Sequence, residues 1–108
     1  MDSLEQIVCE EVEKYAAQGR GIDLRLYFLQ DATNRIYAVN AIVDPFIEDM
    51  DEDRAGVVVI ARVEGETVII EDDATDKPLI DALLQRGVPR SQIVLAYAGE
   101  ALPTPIGK

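Results

Sequence analysis

The chain has no histidine and no tryptophan, and only one cysteine, Cys9, among its 108 residues. Without histidine the commonest general base and metal ligand is missing, and one thiol can neither close an internal disulfide nor build a thiolate zinc site. Cys9 lies in a helical apolar pattern, which predicts a small buried side chain rather than a reactive thiol. Basic residues are also scarce. Ten Lys and Arg against 21 Asp and Glu give a formal net charge of -11, which opposes close approach to phosphate backbones or an anionic membrane. Direct nucleic-acid binding and membrane association are therefore not expected. No apolar run reaches membrane-spanning length, and Met1-Asp2-Ser3-Leu4-Glu5 lacks the basic start and apolar core of a signal peptide, so a cytoplasmic location is expected. Gly19-Arg20-Gly21 stands between a helical pattern and a strand pattern, the reverse of the order a phosphate loop requires, and no Ser-based nucleophile motif occurs. These absences predict a protein with no cofactor and no catalytic residue.

What is present is a folding pattern. Hydrophobic residues make up 48% and charged residues 29% of the chain, which suits a single domain over residues 1–108 that buries roughly two thirds of its unfolded surface. The clearest stretch runs from Ala55 to Tyr97. Val57 to Val63 and Glu66 to Glu71 are β-branched runs that predict a hairpin, with Glu64-Gly65 as its two-residue loop. That register places Val59 opposite Ile70 and Ala61 opposite Val68 on one dry side, with Val58 opposite Glu71 and Arg62 opposite Thr67 on the other. Asp73-Ala74-Thr75-Asp76 offers capping oxygens ahead of Pro78, and Leu79, Ile80, Leu83 and Leu84 form the stripe of a short helix that Gly87 and Pro89 stop. Ile93 to Tyr97 reads as a short strand.

Before this stretch, Leu4, Ile7, Val8, Val12 and Tyr15 recur at helical spacing, with Ser3 and Gln6 or Asp2 and Glu5 as a capping start. Glu5, Glu10, Glu11, Glu13 and Lys14 fall on the other faces and are expected in water. From Ile22 the period becomes two: Ile22, Leu24, Leu26 and Phe28 alternate with Asp23, Arg25 and Tyr27, and Arg35 to Val43 is a second strand after a polar turn. The predicted order is α-β-β-β-β-α-β. It makes an α+β fold, a mainly antiparallel sheet of four to five strands with two amphipathic helices on one face.

Two acidic runs are candidate sites. In the loop from Glu48 to Asp53, Asp49, Asp51 and Asp53 alternate like the opening of a calcium loop, but Arg54 stands where that loop needs glycine and Ile60 where it needs a closing glutamate. A solvated loop without a specific metal site is expected. Glu71, Asp72, Asp73 and Asp76 cluster where the central hairpin meets the second helix. They are the candidate partner-binding residues, and the competing reading is that they cap the helix and offset its dipole. Val58, Ile60 and Ile69, on the hairpin side away from the helices, are the candidate self-association residues of a homodimer.

Glu64-Gly65 turning an apolar hairpin, Asp73-Ala74-Thr75-Asp76, Leu79-Ile80-Asp81-Ala82-Leu83-Leu84, Gly87-Val88-Pro89 and Ile93-Val94-Leu95-Ala96-Tyr97 together resemble the XisI-like family. These are the fdxN element excision controlling factors, small cyanobacterial proteins. The resemblance implies a mixed α/β fold, a nuclease-like companion called XisH, and a role in controlling site-specific excision of a DNA element. The family's tryptophan in the central strands is absent here, and the tail from Ala98 to Lys108 differs from the usual one. A net charge of -11 points to control through an XisH-like protein partner rather than through a grip on DNA. The expected function is thus a non-enzymatic regulatory protein. Its rivals are an acidic, antitoxin-like antagonist of a nuclease-like companion and, less favoured, a carboxylate-based enzyme or small-molecule binder.

Overall fold

The computed structural model describes residues 3–17, 24–43 and 55–101. The first element, α1 (Leu4–Ala16), begins where the Ser3 side chain accepts a hydrogen bond from the Gln6 N–H, satisfying one of the donors a helix start leaves free. Its apolar positions point one way, with Val8 and Val12 fully buried and Tyr15 nearly so. Strands β1 (Leu24–Asp31) and β2 (Ile36–Val43) form an antiparallel hairpin in unbroken register from Leu24 opposite Val43 to Asp31 opposite Ile36. Its turn is held by the Asp31 carboxylate, which accepts from the N–H groups of Thr33 and Asn34 and from the Asn34 amide.

Strands β3 (Ala55–Glu64) and β4 (Thr67–Asp73) form the central hairpin. Its loop is Gly65-Glu66 rather than Glu64-Gly65, so Ala61 faces Ile70 and Val63 faces Val68. The reason lies in the backbone. Gly65 has φ 61 and Glu66 has no positive φ, and a positive φ confined to the first loop residue is the mark of a II′ turn, which puts glycine there. The dry face keeps its members because the change in pairing is by two residues, the side-chain period of a strand. Two bulges go beyond anything expected. Val39 pairs with Val59 but Asn40 with Val57, leaving Val58 as an extra residue in β3. Likewise Ala61 pairs with Ile70 but Ile60 with Asp72, leaving Glu71 extra in β4.

The second helix, α2 (Leu79–Gln85), carries the chain from β4 to β5 (Ile93–Leu95), which pairs parallel to β4. The sheet order is β1-β2-β3-β4-β5. The short strand ends at Leu95 rather than running to Tyr97, because Ala96–Ala98 turns as a 3-10 helix closed by Gly99 at φ 88. Leu79 and Leu83 of α2 are fully buried, Ile80 is partly so, and Leu84, expected in the stripe, is exposed near the end of a two-turn helix. Both helices cover the same sheet face, as expected. Val8, Val12 and Tyr15 of α1 and Leu79 and Leu83 of α2 share one core with Tyr37, Val39, Val59, Ala61, Val63, Val68, Ile70, Val88 and Ile93.

One side chain contradicts the helical pattern. Glu11, expected in water, is 6% exposed and sits between Lys14 (2.8 Å) and Arg86 (2.7 Å), the residue that follows α2. Burial raises the pKa of its carboxyl, but the hydrogen bonds from Lys14 and Arg86, and then their charges, outweigh burial and hold it below the ordinary 4.5. A carboxyl with a depressed folded pKa stabilises the fold above its unfolded value, and that contribution is lost as pH falls through the folded one. Glu11→Gln is therefore expected to lower the urea midpoint at pH 7, and the gap from the parent should narrow as pH falls below the unfolded carboxyl value of about 4.3 and close once Glu11 protonates in the fold. An equal gap above and below that range would rule out an ionised Glu11 in this role.

Candidate protein-binding surface

Because α1 and α2 lie on one face of the sheet, the other face carries neither α-helix, and part of it is exposed. Its rows follow from the register. Tyr27 pairs with Asn40 and then Val57, Leu29 with Ala38 and then Ile60, and Asp31 with Ile36, Arg62, Ile69 and Val94 in turn. Apolar side chains fill these rows to an extent a solvated sheet face does not need, and Tyr27, Leu29 and Val57 are 42%, 50% and 41% exposed. Ile36, Ile60 and Val94 are half-buried among them.

The three residues expected to mediate self-association occupy different positions. Only Ile60 stays partly open on this outer face. Ile69 lies on it but is fully buried, flanked in register by Arg62 and Val94. Val58 is on the other side altogether: the bulge turns it onto the helix-side core, beside Tyr15 and Leu26. Tyr27, Leu29, Ile36 and Val57 share the outer face with Ile60 and Ile69. The sequence held a signal for the first two, since both fall in the supposedly polar phase of β1.

The acidic cluster divides in two. Asp73 is occupied internally: Oδ2 accepts from the Leu79 N–H at 2.7 Å, and Oδ1 accepts from the N–H and hydroxyl of Thr75 at 2.9 and 2.5 Å. It is the effective cap of α2, six residues upstream, because Pro78 at the cap position has no side chain able to accept. Glu71 accepts from Arg62 Nε at 2.6 Å, and the same guanidinium reaches Glu64 at 3.0 Å. Asp72 and Asp76 are exposed and make no hydrogen bond among the described residues. Asp72 pairs with Ile60, so it stands at the rim of the apolar rows.

Little else on the described surface suggests chemistry. A cleft of about 370 Å³ runs between Tyr15, Leu26, Val58 and residues 74–77, and Asp76 is its one carboxylate. Tyr15 donates from its hydroxyl to the Lys77 carbonyl across this cleft and ties α1 to the segment leading into α2. Cys9 is partly buried, with Sγ 3.6 Å from Gln30 Oε1; burial, then the charges of Glu13 and Glu10, raises its pKa and keeps the thiol protonated. Among the described residues no group of three or more His, Cys, Asp or Glu is placed to hold a metal ion. The acidic loop with Glu48, Asp49, Asp51, Glu52 and Asp53 lies outside the described residues. No described helix is long and apolar enough to cross a membrane.

Two helices on one face of a five-stranded, mainly antiparallel sheet, with exposed apolar side chains on the other face, define a two-layer α+β protein. The chain belongs to the XisI family, whose profile, described as XisI protein, matches residues 1–103. Two solved structures share the fold. One is a XisI-like protein from Anabaena variabilis, with a TM-score of 0.72 and 18% sequence identity over 84% of this chain and 81% of that one. The other is the fdxN element excision controlling factor XisI from Anabaena variabilis, with a TM-score of 0.67 and 18% identity over 86% of this chain and 82% of that one. Among curated proteins none matches.

Proposed function

We propose that this chain is a non-enzymatic regulatory protein that binds an XisH-like protein partner through the outer face of its sheet, and thereby takes part in controlling excision of a DNA element. The observation that carries this reading is the exposure of Tyr27, Leu29 and Val57 on one face of the sheet, with Asn40 between Tyr27 and Val57. An apolar centre with acids at its edge has the anatomy of a protein interface, dry in the middle and polar at the rim. Family membership and the fold shared with an excision controlling factor support the regulatory role. The net charge of -11 supports action through a protein rather than on DNA directly.

A second reading is favoured by Asp72 and Asp76, which are exposed and unused by the fold. In it the acids occupy a basic nucleic-acid groove on the same companion and act as an antagonist. One experiment separates the two. The chain is titrated with an XisH-like protein, with and without a duplex oligonucleotide. Regulation through the apolar face predicts a stoichiometric complex that survives the DNA. Displacement by DNA supports the antagonist, and no complex at all defeats both readings.

A further inference from the structure

The two edges of the sheet are not equally protected. At one edge β5 has three residues and runs straight into a 3-10 turn, which is how natural sheets blunt an edge. At the other edge β1 has eight residues, in unbroken register with β2 and paired on its other side with nothing among the described residues. It contains no proline and no glycine, and Arg25 is its one cation. A strand of this length presents roughly 27 Å of free backbone donors and acceptors.

Its side chains are complementary to their own reversed copy. If two β1 strands run antiparallel about a twofold axis at Phe28, the facing pairs are Arg25 with Asp31, Leu26 with Gln30, Tyr27 with Leu29, and Phe28 with Phe28. Every pair keeps its face. The first and third pairs fall on the outer side and the others on the helix side, as the register with β2 assigns them. Arg25 makes no ion pair among the described residues, although the chain has 21 acids and Arg35, Arg62, Arg86 and Arg90 each hold at least one. Asp31 is exposed, so its charge is open to a second cation while its oxygens hold the turn. An opposite-charge pair at each end and an apolar pair inside it favour this register over its neighbours, since a two-residue slip separates the charges.

We propose that β1 pairs antiparallel with β1 of a second copy, joining the two sheets edge to edge into one ten-stranded sheet with Arg25 of each copy against Asp31 of the other. Tyr27 and Leu29 of both copies then meet at the seam, and the outer faces merge into one apolar surface twice as wide. The proposal stands apart from the partner reading: a chain that remains monomeric can still bind a companion through its own outer face.

The test is charge exchange between copies. The purified parent is expected to sediment as a dimer at about 50 μM and to dissociate on dilution, with slow amide exchange in β1 that depends on concentration. Arg25→Glu and Asp31→Lys, each alone, place like charges at both ends of the seam, and each is expected to weaken dimerisation at least tenfold. Mixed one to one they restore two opposite-charge pairs and are expected to form a heterodimer. Parent protein that stays monomeric overturns the proposal, as does an Arg25→Glu dimer as tight as the parent or a mixture that does not associate. Asp31→Lys also removes the acceptor of the β1–β2 turn, so amide exchange in the unmodified chain provides the second measurement. Protection in β1 that does not change with concentration overturns the proposal even if that variant fails to fold.

Discussion

Asp73→Ala is expected to destabilise the protein by about 2–4 kcal/mol, more than other single changes at the hairpin exit, and to lower its Tm by roughly 10–20 °C. Three donors end on this carboxylate: the N–H and hydroxyl of Thr75 and the N–H of Leu79. Hydrogen bonds to a charged acceptor contribute roughly 1.5–3 kcal/mol each, but these donors are only part-buried and water recovers some of the loss. The Leu79 N–H is the bond that matters most. It opens a seven-residue helix with no other side-chain cap, and that helix delivers Leu79 and Leu83 to the core. Asp72→Ala is the matched control. It removes the same charge one residue away, where no donor depends on it, and should change stability by less than about 0.5 kcal/mol. Equal effects in the two variants, measured by urea unfolding, would mean that charge density rather than capping holds this corner.

The second large effect concerns binding. Tyr27→Glu combined with Leu29→Glu is expected to weaken association with the XisH-like companion by about 100-fold or more, because aromatic and aliphatic anchors at the centre of an interface each contribute roughly 2 kcal/mol when desolvated. Folding should barely change, since both side chains are about half exposed and lie on an edge strand. Asp72→Asn combined with Asp76→Asn should act differently. Losing rim charges slows association and flattens its salt dependence while leaving the dissociation rate near the parent's. If the acidic pair carries most of the affinity and the apolar pair little, the antagonist reading replaces the one proposed here.

The fold was legible where the side-chain period and turn chemistry agree. Leu4, Val8, Val12 and Tyr15 trace a helix, and the Val and Ile runs on either side of Gly65 trace a hairpin, because each pattern matches the period of one kind of backbone. The hairpin loop falls one residue later than the β-branched runs indicate, because Gly65, free to take a positive φ, occupies the first loop position. The bulges at Val58 and Glu71 were not legible. Neither carries a glycine or proline to mark it, and each shows only in the pairing with a neighbouring strand. That single fact moved Val58 from the outer face to the core side.

The burial of Glu11 was hidden for a similar reason: Arg86, which neutralises it, lies 75 positions along the chain and approaches only once α2 has docked. The capping role of Asp73 was half legible, since an acidic residue ahead of Pro78 signals a helix start but not which acid will supply the oxygens. At the candidate site, β3 and β4 carry the clearest β-branched runs of the sequence. The wider part of the open face comes from β1 and β2, where Tyr27, Leu29 and Ile36 share one side.

The most direct measurement of the central claim is a methyl NMR titration of the labelled chain with the XisH-like companion. Contact through the open sheet face predicts that signals of Leu29, Ile36, Val57 and Ile60 shift or broaden on binding, while those of Val8, Val12, Leu79 and Leu83, buried beneath the helices, hold their positions. Perturbation confined to methyls of α1 and α2, with the four outer-face signals unmoved at saturation, would contradict it.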